Sequence, residues 1–305
     1  MTAYISRRGL QALAVLVIVT LIVFGLLSLA PGSPATTVLG PGSGHRSFLP
    51  AYLTWLGRVV QGNLGFSARL NVSVTSLLAA SLPRTLVLTG VSTFLALVIA
   101  IPVGLLQAVR RGTVTDHVLR GLSVLCYGTP AVMLGSVLVL FLAVNPPHFF
   151  GAEGPQAPGI IAVITDARDM TLPVATLTLV TVGIFARYMR SSALDTLSQD
   201  YIEAARARGA GERRVIVAHV LRNSLVPIVT LIGLSLPQIV GGAVVVEGVF
   251  NIKGVGWQLW QAALRHDVAV TLGFTLVIAL AAVLGSLLAD VAYAFLDPRV
   301  RHARP

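Results

Sequence analysis

Residues 86–109 read LVLTGVSTFLALVIAIPVGLLQAV, a run without one charged side chain, closed by Arg110 and Arg111. The hydrocarbon core of a bilayer, roughly 30 Å thick, is crossed by about 20 apolar residues in a helix. In that core a backbone must satisfy its own polar groups, which an uninterrupted helix does. The stretch therefore predicts a transmembrane helix. Five further stretches meet that length and apolarity or come close: 10–30, 119–144, 172–186, 227–249 and 268–296, with 172–186 the shortest. Pro102, Pro130 and Pro237 fall inside these runs, where neighbouring helices satisfy the carbonyls that proline frees.

Composition agrees. Of 305 residues, 55% are hydrophobic and 11% charged, with a mean hydropathy of +0.84. Soluble domains carry about a quarter charged residues, so an ordinary soluble fold is excluded. The net charge of +10 would suggest nucleic acid in a soluble protein. Here the basic residues lie between apolar blocks, and membrane topology explains them.

With six spans and an inside N-terminus, fifteen of the 22 basic residues fall inside. Seven fall outside: Arg46, Arg58, Arg69, Arg84, Arg168, Lys253 and Arg265. The inside excess of Lys and Arg sets orientation. The expected fold is an all-α polytopic membrane protein with six transmembrane helices and both termini cytoplasmic. Residues 1–30 are expected to form the N-terminal span and 31–83 an external segment with an interfacial helix. Residues 84–305 are expected to form a five-helix core with a cytoplasmic loop at 187–226.

A cleaved signal peptide is the rival reading of the first segment, since Ser28-Leu29-Ala30 loosely fits a cleavage site. Its apolar run exceeds the usual 7 to 15 residues, about, of a signal core, and Pro31 follows the cut. Within 31–83, Leu49, Leu53, Leu56 and Val60, with Trp55 beside them, have helical spacing and predict a short helix in the outer interface. Residues 145–171, rich in Pro and Gly, predict an external loop. Cys126, the lone cysteine, rules out an intrachain disulfide and reads as a small buried residue.

The loop at 187–226 contains Asp200-Tyr-Ile-Glu203-Ala204-Ala205-Arg206-Ala207-Arg208-Gly209-Ala210-Gly211. Asp200 with Glu203 three residues on is a capping-box pattern, and Gly209 suits the left-handed position after a helix end. A second helix is expected over about 212–223, ending ahead of Pro227. Alanine at 204, 205 and 207 leaves much of the first helix bare, open to close approach by a partner groove.

Glu-Ala-Ala, three residues, then glycine resembles the loop by which permeases of ABC importers dock on their ATPase subunits. A basic Ala/Arg-rich segment resting on anionic membrane lipid is the alternative. The family's later Ile-x-Leu-Pro element is only partly kept, as His219-Val220-Leu221-Arg222. With Asn223 and Pro227, that variant resembles the dipeptide/oligopeptide branch. So do Pro31-Gly32-Ser33-Pro34, the set Tyr52, Trp55, Leu56, Gly62, Asn63, Leu64, Gly65 and Ser67, and Leu82-Pro83-Arg84-Thr85. Gly241-Gly242-Ala243 with Val245, Glu247 and Phe250, and the ending Asp297-Pro298-Arg299-Val300-Arg301, extend the resemblance along nearly the whole chain. Lys253 departs from it, standing where the family has proline before Gly254-x-Gly256, and the stretch between Ser33 and Phe48 is short.

The resemblance implies the type I ABC importer permease fold in a bacterial plasma (inner) membrane. It implies as partners a second homologous permease, two ATP-binding subunits and an external substrate-binding protein. Asp200, Glu203, Ala204, Ala205, Gly209 and Gly211 would form the ATPase-docking element, with Ala204 and Ala205 in the ATPase groove. Gly241, Gly242, Glu247 and Phe250 are candidates for an outer gate or pathway. Glu247 either lines that gate or is solvated at the end of the fifth helix. Gly241 and Gly242 either allow close helix packing or thin the helix beside the pathway.

A Walker A loop requires Gly-x-x-x-x-Gly-Lys-Ser/Thr, and Lys253, the sole lysine, is followed by glycine. No cofactor is expected on this chain; ATP and magnesium belong to the partner ATPases. The six histidines are scattered, so no metal centre is expected, and no nucleophile–base arrangement argues for an enzyme. Arg187 and Arg190 read as topology anchors. Asp290 reads as half of an ion pair or as a pathway residue. A self-sufficient secondary transporter or channel is the competing function; such proteins place coupling charges near the bilayer midplane, where this chain shows none.

Overall fold

The computed structural model describes residues 2–28, 48–144, 150–155 and 160–296. The stretches 31–34 and 297–301 of the resemblance lie outside these residues, as does the side chain of Asp290. Among the described residues the chain forms helices joined by turns, with one antiparallel ribbon. Helix α1 (Thr2–Ser28) and helix α2 (Phe48–Val60) come first, then strands β1 (Phe66–Ser67) and β2 (Val72–Ser73). Helix α3 (Val74–Val109) and α4 (Val114–Gly128) follow, and α5 (Ala131–Val139) ends in a π-turn, Leu140–Val144. Next are α6 (Ile160–Thr165), α7 (Ala167–Leu197), α8 (Asp200–Ala207) and α9 (Glu212–Arg214), with a π-segment at Val215–Leu221. The last four are α10 (Arg222–Gly241), α11 (Val244–Val249), α12 (Val255–Leu264) and α13 (Val268–Leu296).

Four described helical runs are long and apolar enough to cross a membrane: Val74–Val109, Ala167–Leu197, Glu212–Val249 and Val268–Ala289. The pair α4 and α5 makes a fifth if it is one span. In α1 the described apolar portion is Leu13–Leu26.

Several expectations are corrected. The second span begins at Val74, twelve residues before Leu86, and runs through Pro83. Pro83 is the tenth residue of this helix, so it lies in the interior, where the missing N–H leaves the carbonyl four residues back without that donor. The third predicted span is bent by 96° at Thr129-Pro130, because the residue before a proline is driven out of the helical region; Thr129 has ψ 125°. The expected external loop 145–171 contains α6 and the start of α7. Pro227 does not stop the helix there, for α10 continues to Gly241. The fifth span instead breaks at Gly242, whose φ is +84°. Cys126 is half-buried rather than buried.

The chain divides into two compact units. The first comprises Met1–Thr89, Glu153–Met170 and Leu236–Gly285. In it Phe24 of α1, Tyr52 and Trp55 of α2, and Val268 and Leu272 of α13 share one buried cluster. Phe24 and Tyr52 meet edge-to-face at 5.6 Å, and the Tyr52 hydroxyl lies 2.9 Å from Thr20 Oγ1. The short helix predicted after the first span is therefore present; Leu56 packs against the cluster, whereas Leu49 and Leu53 are more than half exposed. In a membrane protein such apolar surface is compatible with lipid. A second cluster joins Val74, Val255, Val270 and Phe274. Gly273 lets α13 approach α3 closely, since a Cβ there would lie 2.6 Å from Val74 Cγ1.

The second unit comprises Gly90–Ala152, Thr171–Ser235 and Ser286–Pro305. Lipid tails are as apolar as leucine, so close packing through small residues and interhelical hydrogen bonds hold such helices together. Ala96 and Ala100 of α3 pack on Phe185, Ala186 and Met189 of α7, and Gly104 lets the backbones touch. The Ser92 hydroxyl donates to Val174 O at 3.2 Å, and Gln107 donates to Ser123 Oγ at 3.2 Å. Arg190 grips Asp116 with two bonds of 3.0 Å. Arg190 is thus more than a topology anchor: it joins α7 to the first turn of α4.

Candidate functional site: the helix–turn segment and the Glu247 knot

In the second unit, α7 and α8 are separated only by Ser198 and Gln199, whose N–H groups bond back to Leu194 O and Thr196 O. That short link leaves no room for an extended residue at 200. Helix α8 therefore has Gln199 as its N-cap, without a side-chain cap bond. Asp200 is its first helical residue, and the expected capping box does not form. Asp200 and Glu203 still place negative charge in the first turn, where the helix dipole favours it.

The other end is fully capped. Gly209 has φ +82°; its N–H donates to Arg206 O at 2.9 Å, and the Ala210 N–H donates to Ala205 O at 3.1 Å. These are the two bonds of a Schellman motif. The spacing of Glu-Ala-Ala-x-x-x-Gly thereby gains a physical cause. Ala205 is the carbonyl that receives the outer bond, and the left-handed residue falls four positions later.

Ile202 and Ala205 turn inward, with Ala108, Ala193, Val215 and Val220. Val215 and Val220 are both buried although five residues apart, a spacing that the i→i+5 bonding of the π-segment brings onto one face. Arg206 crosses the glycine turn to Glu212, at 2.7 and 3.2 Å. That hydrogen bond raises the Arg206 guanidinium above its ordinary pKa. Asn223 donates to the Tyr201 hydroxyl at 2.8 Å. Asp200, Glu203, Ala204, Ala207, Gly209 and Gly211 remain exposed. Ala204 is thus presented outward, whereas Ala205 is only 5% exposed and holds the helix from within.

In the first unit, Gly242 lies against the buried carboxylate of Glu247. Glu247 is fully buried, which corrects the solvated alternative: the first turn of α12 packs on its carboxylate. Its Oε1 accepts the Thr85 hydroxyl at 2.7 Å and its Oε2 the Trp257 N–H at 2.7 Å. Trp257 stands in the first turn of α12, so the carboxylate occupies the anion-favouring end of that helix. Thr85 Oγ1 in turn accepts the Val255 N–H at 2.8 Å. Gly242, Gly254 and Gly256 surround the carboxylate: a Cβ on Gly242 or Gly254 would collide with it, and one on Gly256 would press on it at 3.1 Å. Phe250 is buried, and its carbonyl accepts the Gly154 N–H at 2.7 Å. Gly241 packs on Ile278, 3.2 Å from where its Cβ would be.

Sequence reading missed Thr85, the donor that ties α3 to this knot, although it stands in the quoted Leu82-Pro83-Arg84-Thr85. It also missed Asp267, whose carboxylate accepts the Ser67 hydroxyl and the Val270 N–H. An Asp immediately before an apolar run is a helix-start signal that would have found it. Among the described residues, no group of three or more His, Cys, Asp or Glu could hold a metal ion.

Comparison with known proteins now places this geometry. The family model described as "Binding-protein-dependent transport system inner membrane component" matches residues 100–302. The oligopeptide transport system permease protein AppB of Bacillus subtilis is 37% identical over 99% of this chain and 100% of its own length. The dipeptide transport system permease protein DppB of Escherichia coli K12 is 30% identical over the whole of both chains. Among solved structures, a chain of the MetNI methionine ABC transporter, inward facing, superposes with a TM-score of 0.56. It covers 73% of this chain and 97% of that one at 22% identity, and so shares the fold. The helical run of apolar spans, the Schellman-capped Glu-Ala-Ala helix and full-length similarity converge: the chain belongs to the family of binding-protein-dependent transport system inner membrane components, as a multi-pass permease subunit of an ABC transporter.

Proposed function

We propose that this chain forms, with a second homologous permease, the pathway of an ATP-driven importer of di- or oligopeptides. Six spans carry it: α1, α3, the bent pair α4–α5, α7, the run from α9 to α11, and α13. Both termini face the cytoplasm, and α8 with its glycine turn meets an ATPase there. Two ATP-binding subunits supply hydrolysis, with ATP and magnesium bound on them, and an external substrate-binding protein delivers cargo. The peptide class rests on the names of the full-length relatives, an oligopeptide and a dipeptide permease.

The observation that carries the reading is the construction of the α8 segment. Its inward residues are locked by Ile202 and Ala205, its end by two backbone bonds, and its turn by the Arg206–Glu212 pair. A segment so braced moves as one piece, and it leaves Glu203, Ala204 and Ala207 open to a partner. Closure of the ATPases would push this piece as a lever, and the permease pair would switch between inward-open and outward-open packing, as packed helices do between discrete states. Asp200, Glu203, Ala204, Gly209 and Gly211 are the docking surface in this scheme, and Ala205 is its internal anchor. Gly241, Gly242, Glu247 and Phe250 hold the outer half of the fifth span in place beside the pathway.

Proteoliposomes containing the complex purified through this chain test the proposal. Labelled dipeptides and oligopeptides, presented with the substrate-binding protein, should accumulate only when the ATPase side is supplied with ATP and magnesium. Accumulation by this chain alone, driven by an ion gradient, would establish the secondary transporter instead.

A further inference from the structure

The first unit carries a cleft of about 340 Å³ lined by residues of the β-ribbon, α12 and the loops beside them, among them Arg69, Lys253, Trp257, Gln258, Gln261 and Arg265. Three cations thus face one space. All three are exposed, and none makes a side-chain hydrogen bond or ion pair with a described residue. The amides of Gln258 and Gln261 are equally uncommitted among the described residues. The one acid in the lining, Asp267, is buried and spent: Ser67 donates to it and it caps α13 through the Val270 N–H. The cleft therefore carries net positive charge, three cations against one buried carboxylate, with planar donors beside it, the chemistry that receives carboxylates.

Its walls are fixed. The N-terminus of α12 is held by Glu247 through Trp257 and by Thr85 through Val255, and Asp267 fastens the ribbon to the start of α13. A site for a small molecule buries most of its ligand, whereas these cations stand at an exposed rim, as in a surface that meets another protein. Trp260 and Leu264, on the adjoining face of α12, are exposed apolar residues that suit the edge of the membrane, leaving the polar arc to water.

We propose that this cleft seats acidic side chains of the external substrate-binding protein. The inference rests on the importer reading, whose topology places Arg69, Lys253 and Arg265 outside. Charge complementarity of this kind acts chiefly on encounter rate and register. Lys253 gives the cleft a cation at the position where resemblance to the peptide branch leads one to expect proline.

The test uses the assembled complex in nanodiscs. The probe is the soluble substrate-binding protein that stimulates ATP hydrolysis by the wild-type complex. Lys253→Gln with Arg265→Gln should weaken its binding roughly tenfold at low ionic strength, mainly through the association rate, with the difference shrinking as salt rises. Lys253→Arg should bind as wild type, which separates lost charge from lost structure. Unchanged affinity in the double variant, with wild-type stimulation intact, overturns the cleft while leaving the importer standing. An effect that disappears when anionic lipid is omitted also overturns it, by assigning the cations to lipid phosphate. If no binding protein stimulates the wild type, the importer reading fails first and the cleft with it.

Discussion

Glu247 shows how one side chain can organise three helices. Its carboxylate takes a hydroxyl from α3 and an N–H from the start of α12 while its own backbone lies in α11. Replacing it with alanine leaves the Trp257 N–H and the Thr85 hydroxyl buried without their acceptor, and each such orphan costs about 1–3 kcal/mol. Glu247→Ala should therefore lower thermal stability in detergent by roughly 2–4 kcal/mol. Glu247→Gln, which keeps one acceptor oxygen, should lose clearly less, and equal losses would contradict the capping role. Gly209 is the complementary case. A Cβ there meets nothing within 4 Å, and Asp is among the residues that visit the left-handed region. Gly209→Asp therefore clashes with nothing, at the cost of some strain in the left-handed turn, and otherwise changes what a partner meets.

Among the elements, α3 and α7 depend on contact without side chains. A Cβ at Gly104 would lie 2.6 Å from Ala186 O and 2.7 Å from Met189 Cβ, so Gly104→Ala must push the helices apart. A loss of about 1–3 kcal/mol is expected, read from the melting temperature of the purified protein. Gly90, on the same helix, has nothing within 4 Å, and Gly90→Ala should be neutral or stabilising by up to about 1 kcal/mol. Opposite results at the two positions would refute close packing as the reason for Gly104. The contrast also shows where the sequence is silent. Apolar runs announce that 86–109 and 268–296 are helices, but not which face of either is packed. Residue types gave no sign that the helix through Thr85 begins at Val74, because Ser81 and Arg84 read as external polar residues until they are seen buried. Pro130 and Pro227 look alike in sequence, yet one sits at a 96° bend and the other inside a helix. Tertiary packing decides between them.

At the scale of the whole molecule, the division of labour was legible early. Apolar blocks and the asymmetry of arginines already pointed to a polytopic membrane protein, because each reflects local chemistry, and the resemblance carried by Glu-Ala-Ala-x-x-x-Gly pointed to a permease. Gly209 was readable for the same reason: a helix end is settled within a few residues. The role of Ala205, the burial of Glu247 and the cations around Lys253 were not, since each depends on residues far away in sequence. The central claim is that α8 and its glycine turn join the membrane helices to ATP hydrolysis on another chain. The most direct measurement is affinity purification of the wild type and of Gly209→Asp from gently solubilised native membranes, with the accompanying proteins identified by mass spectrometry. The wild type should bring down a second permease and Walker A-bearing ATPases, and Gly209→Asp, equally well inserted, should retain the permease and lose the ATPases. Recovery of the ATPases in equal amount with both proteins, or of the wild-type chain entirely alone, would contradict it.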